Sequence, residues 1–258
     1  MNLERQQQLL IEAEAKRVAM GPVSDTLPGG LTLEQAHSIC EANIARRLEA
    51  GEWLVGYKVG FTNLAVRDKM GLPDSTYGYL LDSILRFSGS TLDMNELIAP
   101  KIECEICMRL GQDLGGEGLT VEQVLAATDR VSAAFEICDA RIKDWKCPYP
   151  DFLADNGFSA RVVLPGDWRP VEGVDLLGEG VVLLQDGQIV AEGTGDMAMG
   201  HPAKAVAWLA GKLAQRGKGL KRGQIVMTGT LTPILPIARG STYEARYSTL
   251  GRVVQHFC

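Results

Sequence analysis

The pentapeptide Ile102-Glu103-Cys104-Glu105-Ile106 alternates apolar and acidic side chains, the period of a β-strand whose every second residue points to the same face. Ile102, Cys104 and Ile106 make a face suited to a core, and Glu103 and Glu105 share the other. Two arrangements satisfy such a strand. It can lie half exposed in an antiparallel sheet with its acids in water. Alternatively the acids turn inward, one pleat apart, where they repel unless a cation lies between them. Oxygen-only ligation of that kind suits a hard ion such as Mg2+ or Mn2+.

The surrounding chain changes period several times. Residues 3 to 19 predict a helix, and Thr32-Leu33-Glu34-Gln35 has the form of a capping box opening a second. Ala36, Ile39, Cys40, Ile44 and Leu48 give that helix an apolar stripe, and Gly51 can end it. Trp53 to Phe61 reads as a strand, with Lys58 on one face between Gly56 and Gly60, glycines that leave space around the ammonium. Residues 62 to 98 read as a short helix, about 64 to 70, among turns. A strand over 131–138 sets Glu136 opposite the apolar row of Phe135 and Ile137. Residues 140 to 160 have no clean period and read as a long loop of the kind that carries function. A hairpin around Asp186-Gly187, a helix from Pro202 to about 216 and four short strands complete the chain. The expected fold class is α+β: an N-terminal helical segment over 1–51, then a body of mixed sheet over 52–258 as one structural unit.

Composition narrows the function. A net charge of -6 and a pI near 5.2 argue against a nucleic-acid partner, which needs clustered Lys and Arg. No apolar run approaches the roughly 20 residues of a membrane span. The polar start MNLERQQQLL is unlike a secretory signal, so a cytoplasmic setting is expected. Six cysteines in 258 residues do not read as a disulfide framework. Cys104 and Cys107, three apart on a strand, point to opposite faces and read as core thiols, not as a zinc grip.

Taken together, GYKVGFT (56–62), PKIECEI (100–106), FEICDARIKDW (135–145), ADN (154–156), GHPAKAVAWLA (200–210) and MTGTLTP (227–233) resemble the fumarylacetoacetate hydrolase superfamily. More narrowly, they are similar to its 2-keto-4-pentenoate hydratase and 4-oxalocrotonate decarboxylase branch, from about residue 30 to the C-terminus. The resemblance implies a mixed β-sheet roll of the fumarylacetoacetate hydrolase C-terminal-domain type, preceded by helices. It implies Mg2+ or Mn2+ held by Glu103, Glu105 and Glu136, with Lys58 as the active-site lysine. Arg141 is a further catalytic candidate, and Thr76, Asp139, Ser159, His201 and Thr228 are candidate substrate contacts. His201, just before Pro202, also reads as a helix cap.

The implied activity is a metal-dependent lyase on a small 2-oxo acid. Hydration of a 2-hydroxypenta-2,4-dienoate-like substrate to a 4-hydroxy-2-oxo acid, in aromatic meta-cleavage degradation, is the first expectation. Decarboxylation of a 4-oxalocrotonate-like substrate is the alternative; an acylpyruvate C–C hydrolase and a non-catalytic family member rank behind. A homo-oligomer, and a pathway enzyme as a second partner, are expected on the same ground. Three departures bear on the substrate, one being Leu250-Gly251-Arg252 where the family has a G-[IL]-G-S turn. Ser75-Thr76-Tyr77-Gly78 lacks the acid that many hydratases carry before the aromatic, a decarboxylase-like trait, whereas RIKDW is hydratase-like. Gly157-Phe158 displaces Ser159 by one place from the family's serine.

Overall fold

The computed structural model describes residues 3–258; residues 1 and 2 of the expected N-terminal segment lie outside them. Helices α1 (Glu4–Lys16) and α2 (Leu33–Glu49) come first. The capping box forms: Thr32 Oγ1 accepts from the Gln35 amide and Gln35 Oε1 from the Thr32 amide. Helix α1 stops three residues short of the expected end because Arg17 turns left-handed, with φ 55°. The chain continues through β1 (Leu54–Gly60), α3 (Leu64–Lys69), β2 (Thr76–Leu81), β3 (Leu85–Phe87) and β4 (Thr91–Leu92). Next come β5 (Lys101–Leu110), α4 (Val121–Ala127), β6 (Thr128–Cys138), α5 (Tyr149–Ala154), β7 (Ser159–Leu164) and β8 (Arg169–Pro170). The last part holds β9 (Gly180–Gln185), β10 (Gln188–Thr194), α6 (Pro202–Ala214), β11 (Ile225–Thr230), β12 (Leu235–Pro236), β13 (Thr242–Tyr247) and β14 (Arg252–Phe257).

The strands form two sheets. The larger runs β2-β1-β11-β5-β6-β7-β3, with β12 added to β5 and β8 to β6; the smaller runs β10-β9-β13-β14-β4. The α+β roll with N-terminal helices is therefore the architecture. Ile102, Cys104, Ile106, Phe135 and Ile137 of the large sheet are fully buried in one cluster with Leu183, Tyr243, Ala245 and Val253 of the small one. Each such aliphatic or aromatic side chain adds about 1.5–3 kcal/mol by leaving water. Central position also removes the half-exposed option for β5: both of its faces are covered, and Glu105 is wholly buried.

Three segments depart from the sequence expectation. Strand β2 falls where turns were expected, because all six of its residues are buried and no alternation marks it. Strand β7 begins inside the expected loop. The rest of that loop holds α5 and two short 3-10 turns, at 143–145 and 156–158. This segment is braced by the N-terminal helices and the turn between them. Helix α2 packs on α5, the Ser24 amide donates to Asp151 Oδ1 at 2.8 Å, and the Met20 amide donates to the Arg141 carbonyl at 2.9 Å. Among the described residues no helix is long and apolar enough to cross a membrane.

Candidate metal and active site

Register brings the acids together. Strands β5 and β6 are antiparallel with Glu103 directly opposite Glu136, and Glu105 lies one pleat further along the same face of β5. On the other side of β5 runs β11, and parallel to that β1, which carries Lys58. Lys58 Nζ comes within 3.1 Å of Glu136 Oε2, with side chains 2% and 0% exposed. Glu105 Oε2 accepts from the Gly229 amide at 2.7 Å, and a carboxylate oxygen of Glu103 lies within 4.8 Å of Cys138 Sγ. Gly229, at φ 100°, is required there: a Cβ would sit 1.9 Å from Thr62 Oγ1.

Burial acts on the charges of Glu103, Glu105 and Lys58. It pushes Glu103 up to about 7, assisted by Glu136 and opposed by Lys58. Glu105 is raised well above the usual carboxylate range, again by burial first and then by Glu136 and Glu103. For Lys58, burial pulls the ammonium down most strongly, but Glu136, Cys138 and the other two glutamates together outweigh it and the group is raised. Polar capacity is left over: Glu105 Oε1 and both Glu136 carboxylate oxygens are buried with no hydrogen-bond partner. The Lys58 contact is close enough for an ion pair but is not aligned as a hydrogen bond.

The cluster lies at the floor of a cavity of about 730 Å3, reached by Lys58, Glu103 and Cys138. Its walls are largely apolar, built by Phe61, Val66, Met70, Trp145, Phe152 and Phe158. Phe61, Trp145 and Phe158 all have positive φ, 55°, 60° and 59°, uncommon for bulky residues and concentrated here on one wall. Gly157 lies against the lysine stem, where a Cβ would be 3.1 Å from Lys58 Cε. Of the two glycines flanking Lys58, Gly60 has the expected role: a Cβ there would stand 3.6 Å from Nζ and 2.8 Å from Thr76 Oγ1. Gly56 does not. It admits β11 instead, since its Cβ would lie 1.9 Å from the Ile225 carbonyl oxygen.

The remaining sequence candidates separate. Thr76 is buried beside Gly60 with its hydroxyl unpartnered, close behind Lys58. Arg141 is not at this cavity. Its guanidinium binds the Asp155 carboxylate and the carbonyls of Asp139, Ser159 and Asp155, and it lines a separate cavity of about 80 Å3 together with Ser159. Asp139 accepts from the Ile98 and Ala99 amides at 2.8 and 2.7 Å, so its carboxylate pins a turn. Thr228 donates to the Ile106 carbonyl at 2.8 Å, and His201 Nδ1 accepts from the Ala203 amide at 3.0 Å as the cap of α6. Neither lines the cavity. Residues the sequence reading passed over do line it: Cys138, Lys101, Thr62, whose buried hydroxyl is unpartnered, and the aromatic wall. Only strand alternation from Glu136 to Cys138 and from Glu103 back to Lys101 signalled any of them.

Known proteins share this arrangement of chain. A 2-keto-4-pentenoate hydratase of Burkholderia vietnamiensis is 37% identical over 95% of this chain and 93% of its own. A 4-oxalocrotonate decarboxylase of Pseudomonas sp. strain CF600 is 38% identical over 88% of this chain and 86% of its own. The solved 4-oxalocrotonate decarboxylase of Pseudomonas putida G7, complexed with magnesium and adipate, superposes with a TM-score of 0.93 at 34% identity, covering 100% of this chain and 99% of that one. The model of the fumarylacetoacetate (FAA) hydrolase C-terminal family matches residues 71–257, and the chain belongs to that family.

Proposed function

We propose that this protein is a divalent-metal-dependent lyase on short 2-oxo and 2-hydroxydienoic acids, hydrating a 2-hydroxypenta-2,4-dienoate-like substrate to a 4-hydroxy-2-oxo acid. The observation that carries the reading is a set of buried carboxylate oxygens without hydrogen-bond partners beside an ammonium, under a cavity with apolar walls. Orphaned acceptors of this kind fit a hard dication, and the magnesium in the solved decarboxylase of Pseudomonas putida G7 supports the same assignment. Glu103, Glu105 and Glu136 would hold Mg2+ or Mn2+, which when bound supplies Lewis-acid polarisation of the 2-oxo group.

The chain's own residues do the rest. Lys58, raised and therefore protonated at neutral pH, attracts the substrate carboxylate and holds a proton at Nζ; it is a poor base in this state. Thr62 lines the cavity and carries a buried hydroxyl without a hydrogen-bond partner, a group within reach of the substrate end of the site. Phe61, Phe152 and Phe158 exclude bulk water from the ammonium and strengthen its field. The apolar wall suits the hydrocarbon end of a dienoate.

One observation favours decarboxylation as a second reading. Lys101 lines the same cavity and lies over the Trp145 ring at 4.1 Å from its centroid, with Glu103 as a nearby charge. Such a cation would receive the second carboxylate of a 4-oxalocrotonate-like diacid. Incubation with Mg2+ and each substrate separately decides between them. Loss of diene absorbance without gas supports the hydratase, CO2 release supports the decarboxylase, and no turnover of either rejects both. A homo-oligomer is part of the reading and is checked by analytical ultracentrifugation.

A further inference from the structure

Cys138 lines the cavity beside the acids, and the proposed reaction leaves it unused. It follows Glu136 by two positions on β6 and so shares its face, and the β5–β6 register sets it diagonal to Glu103. Its Sγ and one carboxylate oxygen each of Glu103 and Glu136 all lie within 4.8 Å of one another. Donors bound to one ion at about 2.0–2.3 Å stand roughly 3.3–3.8 Å apart in a tetrahedron, so rotamer-scale movement closes the set. An independent observation points to a ligand at the same place: both oxygens of Glu136, wholly buried, lack a hydrogen-bond partner.

Sulfur changes which ions the place prefers. Mg2+ and Mn2+ select oxygen donors, whereas Zn2+, Cd2+ and Co2+ accept a thiolate readily. We propose that Glu103, Glu136 and Cys138 form a mixed carboxylate–thiolate site for thiophilic dications, overlapping the hard-ion site. On binding, the Cys138 S–H bond breaks, its proton leaves to solvent, and a sulfur–metal bond forms with no change of oxidation state. The inference rests on the metal reading of the same acids. Its consequence is discrimination by chemistry: a soft ion held by sulfur competes with Mg2+ for Glu103 and Glu136.

The test uses full-length, metal-stripped protein carrying Cys147→Ser and Cys258→Ser, which removes the two thiols that are not fully buried. Co2+ titration should produce a thiolate-to-cobalt charge-transfer band in the near ultraviolet. Adding Cys138→Ser should abolish the band and weaken Cd2+ binding at least tenfold by calorimetry, while Mg2+ affinity stays within twofold. Cys138→Ala should behave alike, separating the missing sulfur from a misplaced hydroxyl. A band that survives both substitutions, or Cd2+ and Mg2+ affinities that fall together, overturns the mixed site and leaves the Mg2+ reading standing. Failure of the parent protein to bind either ion overturns both.

Discussion

Lys58 Nζ stands 3.1 Å from Glu136 Oε2, with both side chains buried. A buried pair of this kind is costly to break, because the surviving partner keeps its desolvation cost without its counter-charge. Lys58→Met should therefore lower stability by about 3–5 kcal/mol in metal-free protein. Saturating Mg2+ should restore part of that loss, since a bound dication compensates the same carboxylates. Turnover should stay at least ~100-fold down after the rescue, because the substrate's carboxylate has lost its cation. Urea denaturation with and without Mg2+, run beside steady-state kinetics, separates the two effects.

Glu103 gives the metal site a pH dependence. With its carboxyl near 7 when folded and about 4.3 when unfolded, the folded chain binds more protons across that interval. Metal-free stability should therefore be greatest below about 4.3 as far as this group is concerned, and decline as pH rises through 7. Dication affinity should run the other way. A proton must leave before each carboxylate can bind, so Mg2+ affinity should rise with pH through about 7, and the raised Glu105 carboxyl extends that rise. Calorimetry in buffers of different ionisation enthalpy would detect the proton released on binding at pH 6, and binding there without proton release would contradict the raised carboxyls.

Glu105→Gln should abolish metal-dependent turnover and leave the fold intact, since an amide oxygen can still accept from the Gly229 amide while the ligand charge is gone. Full activity of this variant in chelator-treated buffer would contradict the assignment of Glu105 to the metal. Circular dichroism of the variant checks the fold.

Arg141 is expected to matter through stability. Its guanidinium is buried among Asp155 and three carbonyl oxygens, and it lines a cavity other than the one above Lys58. Arg141→Met should cost about 3–5 kcal/mol by stranding Asp155. The folded fraction should retain kcat within a few-fold, as measured by thermal unfolding and by activity per folded molecule. A kcat loss of ~1000-fold in folded protein would return Arg141 to the chemistry.

How legible the site was depended on what each residue's neighbours reveal in one dimension. Glu103, Glu105 and Lys58 stood on alternating strands, and alternation alone set them on definable faces. That Glu136 would lie opposite Glu103 is a matter of register, which no local pattern states; the family resemblance implied the grouping and the β5–β6 pairing gives its geometry. Strand β2 was hidden because all six of its residues are buried and its run shows no alternation, and β7 because Ser159 and Arg161 do not alternate cleanly with apolar residues. The aromatic wall was hidden for a different reason. Phe61, Trp145 and Phe158 reach the cavity through left-handed backbone that the residue type disfavours, so nothing in the sequence forecast it. Arg141 and Asp139 show the limit of position in sequence: they follow a ligand candidate closely, and their side chains bond backbone groups of the adjoining turns.

Glu41 supplies a stability signal on the acid side that is separate from the metal site. From α2 it accepts from Lys218 Nζ at 2.8 Å, Arg216 Nε at 3.1 Å and the Tyr79 hydroxyl at 3.0 Å, tying the N-terminal helices to β2 and to the end of α6. Partial burial alone would raise its carboxyl, but the bonds from Lys218, Arg216 and Tyr79 outweigh that and hold it down at about 2. A depressed carboxyl binds fewer protons folded than unfolded. Its stabilisation is thus fully present above the unfolded value near 4.3 and is lost as pH falls towards 2. Glu41→Gln should therefore destabilise the protein at pH 7, by about 1 kcal/mol or less given the exposure of these pairs. That deficit should shrink steadily between pH 4.3 and 2, where the parent's own carboxylate is being protonated. Urea midpoints of both proteins across pH 2–7 would test this, and curves that stay parallel over the whole range would contradict it.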